Sequence, residues 1–509
     1  MEKPFRIAIL GGGSAGWLAA NHLGKVLQGR TDVTVTLLES PDIPTIGVGE
    51  GTVPAIRQSL KSFGIRETDF IRAADVTFKQ SIRFNNWLSH GRHGRDNFYH
   101  HLFDRPNLLG CDLTPWWLEQ RRGHYAASVS VQHAVCEAKK APKLITEPEY
   151  IGTLGYAYHL DARKFAALLA ENARVKFKVN HIQAKVLQAR LDLDGFIQSL
   201  QTDCVGELEF DFYIDCSGLR CQLLGQSLNV PFVDVSDTLL INQALALQVP
   251  TAPDSIIPPY TLATAHQAGW IWDIALSSRR GTGFVYSDRH MTEAQACRKF
   301  SRYLGVDEDS VEFRKIPMSS GYRKVSWAKN CVALGLAQGF LEPLEATSIM
   351  LTDFAAELLA KRLPLHRQQM ELLATRYNRV MSHAWTRVVD FVKLHYLLSD
   401  RRDSDFWRDN QQLSAVSDEL KERLQLWRTS VPLVEDFATR FEAFDLDNYR
   451  YVLYGMDYSS ELCAMSDVLR LQLQQQAEQT RDWAQQLVTQ LPAHRALLDK
   501  IKEFGLQLA

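Results

Sequence analysis

Near the N-terminus a glycine loop stands between a strand and a helix. Arg6–Leu10 (RIAIL) is a short apolar run, Gly11-Gly12-Gly13-Ser14-Ala15-Gly16 follows, and a helical pattern runs from Trp17 to about Leu27. Val33–Leu38 reads as a second strand and ends at Glu39. Gly11, Gly13 and Gly16 fit G-x-G-x-x-G, the spacing that permits a tight turn and lets backbone approach a pyrophosphate at a helix N-terminus. Ser14 and Ala15 lie in the same turn, and Glu39 is placed to hydrogen-bond a ribose hydroxyl. The spacing predicts a βαβ dinucleotide site and leaves FAD and NAD(P) both open.

Further strands are expected at Phe210–Cys216 and Cys331–Leu334, a strand-rich stretch at Pro231–Tyr286, and a long helix from about Thr347 to Leu363. From about Arg367 the chain shifts to Leu, Gln, Arg and Glu with few Gly, which reads as helical. With 57 Lys and Arg against 59 Asp and Glu, the chain has no electrostatic footprint for nucleic acid or anionic membrane. Eight scattered cysteines without a C-x-x-C pair argue against a zinc site or a disulfide framework, so no metal is expected. No signal-peptide pattern and no apolar run of about 20 residues is present. The expectation is a cytoplasmic protein with no membrane partner.

Two more glycine-bearing strand ends, Asp215-Cys216-Ser217-Gly218 and Gly335-Leu336-Ala337-Gln338-Gly339, reappear far downstream. That arrangement resembles the p-hydroxybenzoate hydroxylase type of FAD fold, in which distant segments wrap one flavin. Longer segments are more specific: Ile46-Gly47-Val48-Gly49-Glu50-Gly51-Thr52-Val53-Pro54, Thr77–Phe84 around Lys79, Gly269–Ile274 with Trp270 and Trp272, and Gly339–Ile349 with Glu345. Phe391-Val392-Lys393-Leu394-His395-Tyr396 and Asp405-Phe406-Trp407 continue the series, and Phe313, Pro317, Ser319 and Gly321 add a supporting F-x-x-x-P-x-S-x-G pattern. Together these resemble the flavin-dependent tryptophan/indole halogenase family.

The resemblance implies an α/β fold: a Rossmann-type FAD core over residues 1–365 with a β-rich insert at about 231–320, and a helical region at 366–509 capping the substrate pocket. It implies that reduced FAD, delivered by a separate flavin reductase, acts with O2 on chloride or bromide to make hypohalous acid, which passes to Lys79 beside an indolic substrate. Glu345 matches the second catalytic residue, a carboxylate suited to stabilise a cationic ring intermediate and accept the ring proton. Thr347 and Ser348 open a helix whose N–H groups suit a halide. Leu336 and Ile349 fall where the family's backbone touches flavin, and His101 and Phe103 fall in its substrate pocket. Trp270 and Trp272 belong to a W-x-W-x-I-P signature whose rings would keep organic substrate from the flavin.

Read without the resemblance, Lys79 between Phe78 and Ile82 is an ordinary snorkelling lysine. Glu345 could be a carboxylate on a helix dipole, a role for which Glu342 is the better candidate, and the tryptophans a buried pair sharing one strand face. The sequence also departs from the family. Ala275 replaces the signature proline, Ala346 a usual serine and Ser348 a glycine. The lid around Tyr449–Tyr458 lacks anchors for the polar groups of free tryptophan, which favours indole or a larger, less polar indolic compound. The competing readings are a flavin-dependent aromatic monooxygenase, for which Lys79 would be dispensable, and a noncatalytic flavoprotein.

Overall fold

The computed structural model describes residues 3–42, 49–107, 110–437, 439 and 442–508. Ile46, Gly47 and Val48 of the first quoted motif lie outside the described residues.

The apolar run at the N-terminus becomes the strand Phe5–Leu10, buried over its last four residues because it has a neighbour on each side. It pairs in parallel with Val33–Glu39 and with Phe212–Asp215. Cys331–Ala333 and Asn180–Gln183 extend this sheet in parallel, and Trp327–Ala328 closes one edge antiparallel. The helix Ser14–Val26, here the dinucleotide helix, is buried from Gly16 to Gly24. Its interior position explains a sequence apolar nearly all round rather than on one stripe. It packs against a second such helix, Thr347–Lys361.

A seven-stranded sheet forms the other half of the core. Its order is Arg314–Pro317, Gln243–Pro250, Arg279–Tyr286, Gly269–Ala275, Tyr260–His266, Ser81–Asn85 and Phe98–Leu102. The last two strands come from ahead of the strand-rich stretch, and Ser81–Asn85 joins it by the sheet's only parallel pairing among the described residues. This crossover leaves one strand, Tyr260–His266, between the segment after Lys79 and the strand that carries both tryptophans.

From Arg367 the chain is helical, as its composition predicts. The long helix Arg367–Leu398 is buried almost without interruption from Arg387 to Tyr396, and the capping helix Leu446–Gly455 packs on the strand Phe98–Leu102. The last helix begins at His494, whose Nε2 accepts the Phe78 backbone N–H at 3.0 Å. No helix among the described residues is long and apolar enough to cross a membrane.

Candidate active site

The glycine loop is shaped by what surrounds it. Gly11 has φ of +114°, and a Cβ there would stand 2.2 Å from the Cys216 carbonyl oxygen. A Cβ on Gly16 would lie 1.9 Å from the Gly11 carbonyl oxygen, whereas one on Gly13 would meet nothing within 4 Å. The loop is therefore tight toward the sheet and open outward, beside a helix start that has no side-chain cap. Glu39 ends its strand with its carboxylate against Gly12 and 3.1 Å from His181. Gly335 of the third glycine segment faces Ala15, where a Cβ would come within 2.6 Å. Leu336 lies in the short 3-10 turn that follows, and Ile349 is buried in the first turn of the Thr347–Lys361 helix. An open pyrophosphate cradle, an acid at the second strand end and uncapped N–H groups suit a dinucleotide cofactor.

Lys79 ends the strand Thr77–Lys79, which pairs antiparallel with Ala157–Leu160, itself paired with Glu50–Gly51. The residue is 0% exposed, not a snorkelling surface lysine. Its Nζ donates to the Thr52 carbonyl at 3.1 Å and lies 5.0 Å from the centre of the Phe103 ring. Burial pushes the ammonium down to about 7, with the Glu345 charge opposing. Phe103 is fixed through its backbone, donating to the Gln80 carbonyl at 3.0 Å and to Gln132 Oε1 at 3.0 Å. Thr77 anchors the strand from behind, its hydroxyl donating to the Ala275 carbonyl at 2.8 Å. Ala275 thus tethers the Lys79 strand from the position of the signature proline.

Glu345 is 2% exposed and held from two sides. His101 Nδ1 donates to its two oxygens at 3.0 and 2.9 Å, and His395 Nε2 lies 2.8 Å from Oε1. Burial pushes this carboxyl up, but its contacts with His101 and His395 outweigh it and hold the group below the usual carboxylate range. His395 Nδ1 donates to the Phe391 carbonyl at 2.8 Å, so a further proton lies between Nε2 and Glu345. The aromatic surroundings are Phe391, 5.8 Å from His101 and 5.2 Å from His395, and Phe444, stacked on Phe391 at 3.8 Å.

Gly51 shows that the lysine and the glutamate loop converge. A Cβ on this residue would sit 3.3 Å from Lys79 Nζ, 3.6 Å from Ala346 Cβ and 3.7 Å from His159 Cδ2. Ala346, which follows Glu345, is left-handed at φ 55° and ψ 37° and immediately precedes the helix. Past this turn the N–H groups of the first helical turn are left without a side-chain cap, and the Glu345 charge lies near enough to be felt at Lys79. Thr347 is buried and Ser348 exposed, and both border a small cavity with Gly335, Gln338, Phe340 and Trp385.

Glu342 is not a helix-dipole carboxylate. It is fully buried, and its Oε1 accepts the Trp270 Nε1–H at 2.9 Å and the Tyr396 hydroxyl. The loop turns at Ala346 before the helix begins, so Glu342 points at the tryptophan strand and the long helix instead. Burial raises it to about 7, against the hydrogen bonds of Tyr396 and Trp270. Trp270 and Trp272 share one strand face with ring centres 6.4 Å apart, and the Trp272 ring lies flat on Gly283, where a Cβ would clash at 2.0 Å.

The Tyr449–Tyr458 segment is a buried helix end rather than a loop over the pocket. Tyr451 donates to the Asp104 carbonyl at 2.9 Å, and Tyr454 pairs with Ser460. The contact to the site comes one residue earlier, where Asn448 Nδ2 lies 3.1 Å from His101 Nε2. Sequence reasoning missed His395, Asn448, Phe444 and the Thr52 carbonyl. His395 and Thr52 each left a signal, inside a quoted motif whose role was not read. No group of three or more His, Cys, Asp and Glu among the described residues is arranged to hold a metal.

Comparison with known proteins accords with this geometry. The family model described as tryptophan halogenase matches residues 6–467. The tryptophan 6-halogenase SttH of Streptomyces toxytricini is 35% identical over 477 residues, covering 89% of this chain and 90% of that protein. The crystal structure of a tryptophan halogenase from Shewanella frigidimarina superposes with a TM-score of 0.96 at 37% identity, covering 100% of this chain and 99% of that one. BrvH, a flavin-dependent halogenase from Brevundimonas sp. BAL3, superposes at 0.88 with 31% identity, covering 98% and 99%. An open glycine loop, a buried lysine and a doubly hydrogen-bonded glutamate therefore occur in a chain that belongs to the tryptophan halogenase family and is a flavin-dependent halogenase.

Proposed function

We propose that the protein uses reduced FAD, O2 and chloride or bromide to halogenate an indole-type aromatic ring, with Lys79 delivering the halogen and Glu345 assisting the substitution. The observation that carries this reading is the convergence of Lys79 and the Glu345 loop on Gly51, with both functional groups withdrawn from water. Gly11, Gly13, Ser14, Ala15, Gly16, Glu39, Leu336 and Ile349 would hold the cofactor. When bound, reduced FAD would supply two electrons to O2, and the oxygen so activated would oxidise the halide to hypohalous acid.

The chain's residues divide the remaining work. The N–H groups at Thr347 and Ser348 hold the halide at the positive end of the helix. Trp270, locked by Glu342, and Trp272, seated on Gly283, form a wall too bulky for an organic ring to pass. Lys79 has one N–H engaged by Thr52 and retains further donors, or a lone pair when neutral, for the halogen source. Its titration near 7 makes both forms accessible at neutral pH. Glu345, anionic and fixed by two histidines, stabilises positive charge on the ring and accepts the proton that leaves. His101, Phe103, Phe391 and Phe444 line this side of the site with aromatic surface. That lining suits indole or a larger indolic compound, and SttH is named for acting on tryptophan.

The test supplies the protein with FAD, NADH, a flavin reductase, O2 and either chloride or bromide, and screens indole and tryptophan by mass spectrometry. Halogenated indole is the expected product. Hydroxylated product formed without halide would overturn the reading in favour of a flavin monooxygenase.

A further inference from the structure

The two histidines on Glu345 are not equivalent. His395 meets an oxygen at each ring nitrogen, the Phe391 carbonyl and the Glu345 carboxylate. His101 meets the carboxylate at Nδ1 but an amide nitrogen at Nε2, where Asn448 Nδ2 stands at 3.1 Å.

The orientation of that amide is fixed by a third contact. Asn448 Oδ1 accepts the Asp445 backbone N–H at 2.9 Å, and the Asp445 carboxylate accepts the Asn448 N–H in return, closing a capping box at the start of the helix Leu446–Gly455. With the oxygen committed to Asp445, the NH2 group must face the ring. A donor there requires a lone pair on Nε2, so the ring proton lies on Nδ1.

We infer that Asn448 is a positioning residue that locks His101 as the neutral Nδ1–H tautomer and so keeps it a donor to Glu345. The other neutral tautomer would set its Nε2–H against the amide N–H and its Nδ1 lone pair against the carboxylate. Both contacts would become repulsive, and Glu345 would lose the hydrogen bond that faces it toward the substrate side. The groups around His101 are Glu345 from the glutamate loop, Asn448 and Tyr451 from the capping helix, with Tyr451 at 6.2 Å between ring centres, and Phe391 from the long helix. The capping box thus couples the start of a helix over the pocket to the proton arrangement at the carboxylate. This inference rests on the reading of Glu345 as the group that receives the ring proton.

The test is 15N NMR of the full chain labelled at histidine, with His101→Asn identifying the His101 signals. The wild-type protein is expected to show a protonated Nδ1 and an unprotonated Nε2. Asn448→Asp keeps the acceptor for the Asp445 N–H but replaces the donor facing Nε2 with an acceptor. In that variant both ring nitrogens should be protonated, the positive ring beside Glu345 should make the carboxylate a weaker acceptor for the ring proton, and kcat for ring halogenation should fall roughly tenfold while NADH and O2 consumption persist. A protonated Nε2 in the wild-type protein overturns the inference, and this holds even if the variant does not fold. Altered ring signals in Asn448→Asp with unchanged kcat overturn the positioning role. A wild-type protein with the expected tautomer but no halogenation would instead refute the proposed function.

Discussion

Replacing Lys79 with methionine removes a buried charge while keeping an unbranched side chain of similar length. The ammonium, ordinarily at 10.5, is down to about 7 because burial disfavours the charged form. Carrying that charge in the folded state at pH 6 costs about 5 kcal/mol relative to the unfolded chain. Between about 7 and 10.5 the unfolded chain binds more protons than the folded one. The lysine protein therefore gains stability as pH rises through that window, and by pH 9 the cost has shrunk to about 2 kcal/mol. Losing the hydrogen bond to the Thr52 carbonyl subtracts about 1 kcal/mol at either pH. Lys79→Met should thus be more stable than wild type by about 4 kcal/mol at pH 6 and about 1 kcal/mol at pH 9. The assay is urea unfolding followed by tryptophan fluorescence at both pH values. An equal gain at the two pH values, or a loss at both, would refute a withdrawn lysine whose charge opposes folding.

Glu345→Gln should lower kcat for ring halogenation by roughly 10²–10³, with NADH consumption continuing, as measured by product chromatography; an unchanged kcat would remove the carboxylate from the chemistry. Glu342 sits at about 7, so the folded chain binds more protons than the unfolded one between 4.5 and that value and loses stability as pH rises through the window. Glu342→Gln, which keeps an acceptor for Trp270, should raise stability at pH 8 by about 3 kcal/mol and have little effect at pH 4, read from melting curves. Gly51→Ala would place a methyl 3.3 Å from Lys79 Nζ and 3.6 Å from Ala346 Cβ. It should cut product formation at least about tenfold with a small change in melting temperature, since a misplacement of about 1 Å near reacting groups costs up to about a hundredfold; full activity would place the route to Lys79 elsewhere.

The parts legible in the sequence are those whose chemistry is local. The glycine loop, the dinucleotide helix and Glu39 follow one another within a single βαβ unit, and the start of the Thr347–Lys361 helix was readable from its periodicity. Lys79 was not legible as a buried group, because Phe78 and Ile82 flank it as they would flank a surface lysine. Its burial comes from Ala157–Leu160, Glu50–Gly51 and Phe103, which no spacing near residue 79 reveals. Glu342 and Glu345 look interchangeable as acids ahead of a helix. The left-handed turn at Ala346 and the partners across the fold, Trp270 and Tyr396 for one and His101 and His395 for the other, separate them. Asn448 illustrates the same limit, because an asparagine in a capping box reads as a helix start and its second contact is with a strand far back in the chain.

The central claim is that Lys79 carries the halogen to the ring, and its most direct test is bromination of indole by wild type and Lys79→Ala side by side under matched flavin, oxygen and bromide turnover. The wild-type protein should give bromoindole with the bromine isotope pattern in the mass spectrum. Lys79→Ala should consume NADH and O2 at a comparable rate and give none. Bromoindole from Lys79→Ala at the wild-type rate would contradict the role assigned to the lysine.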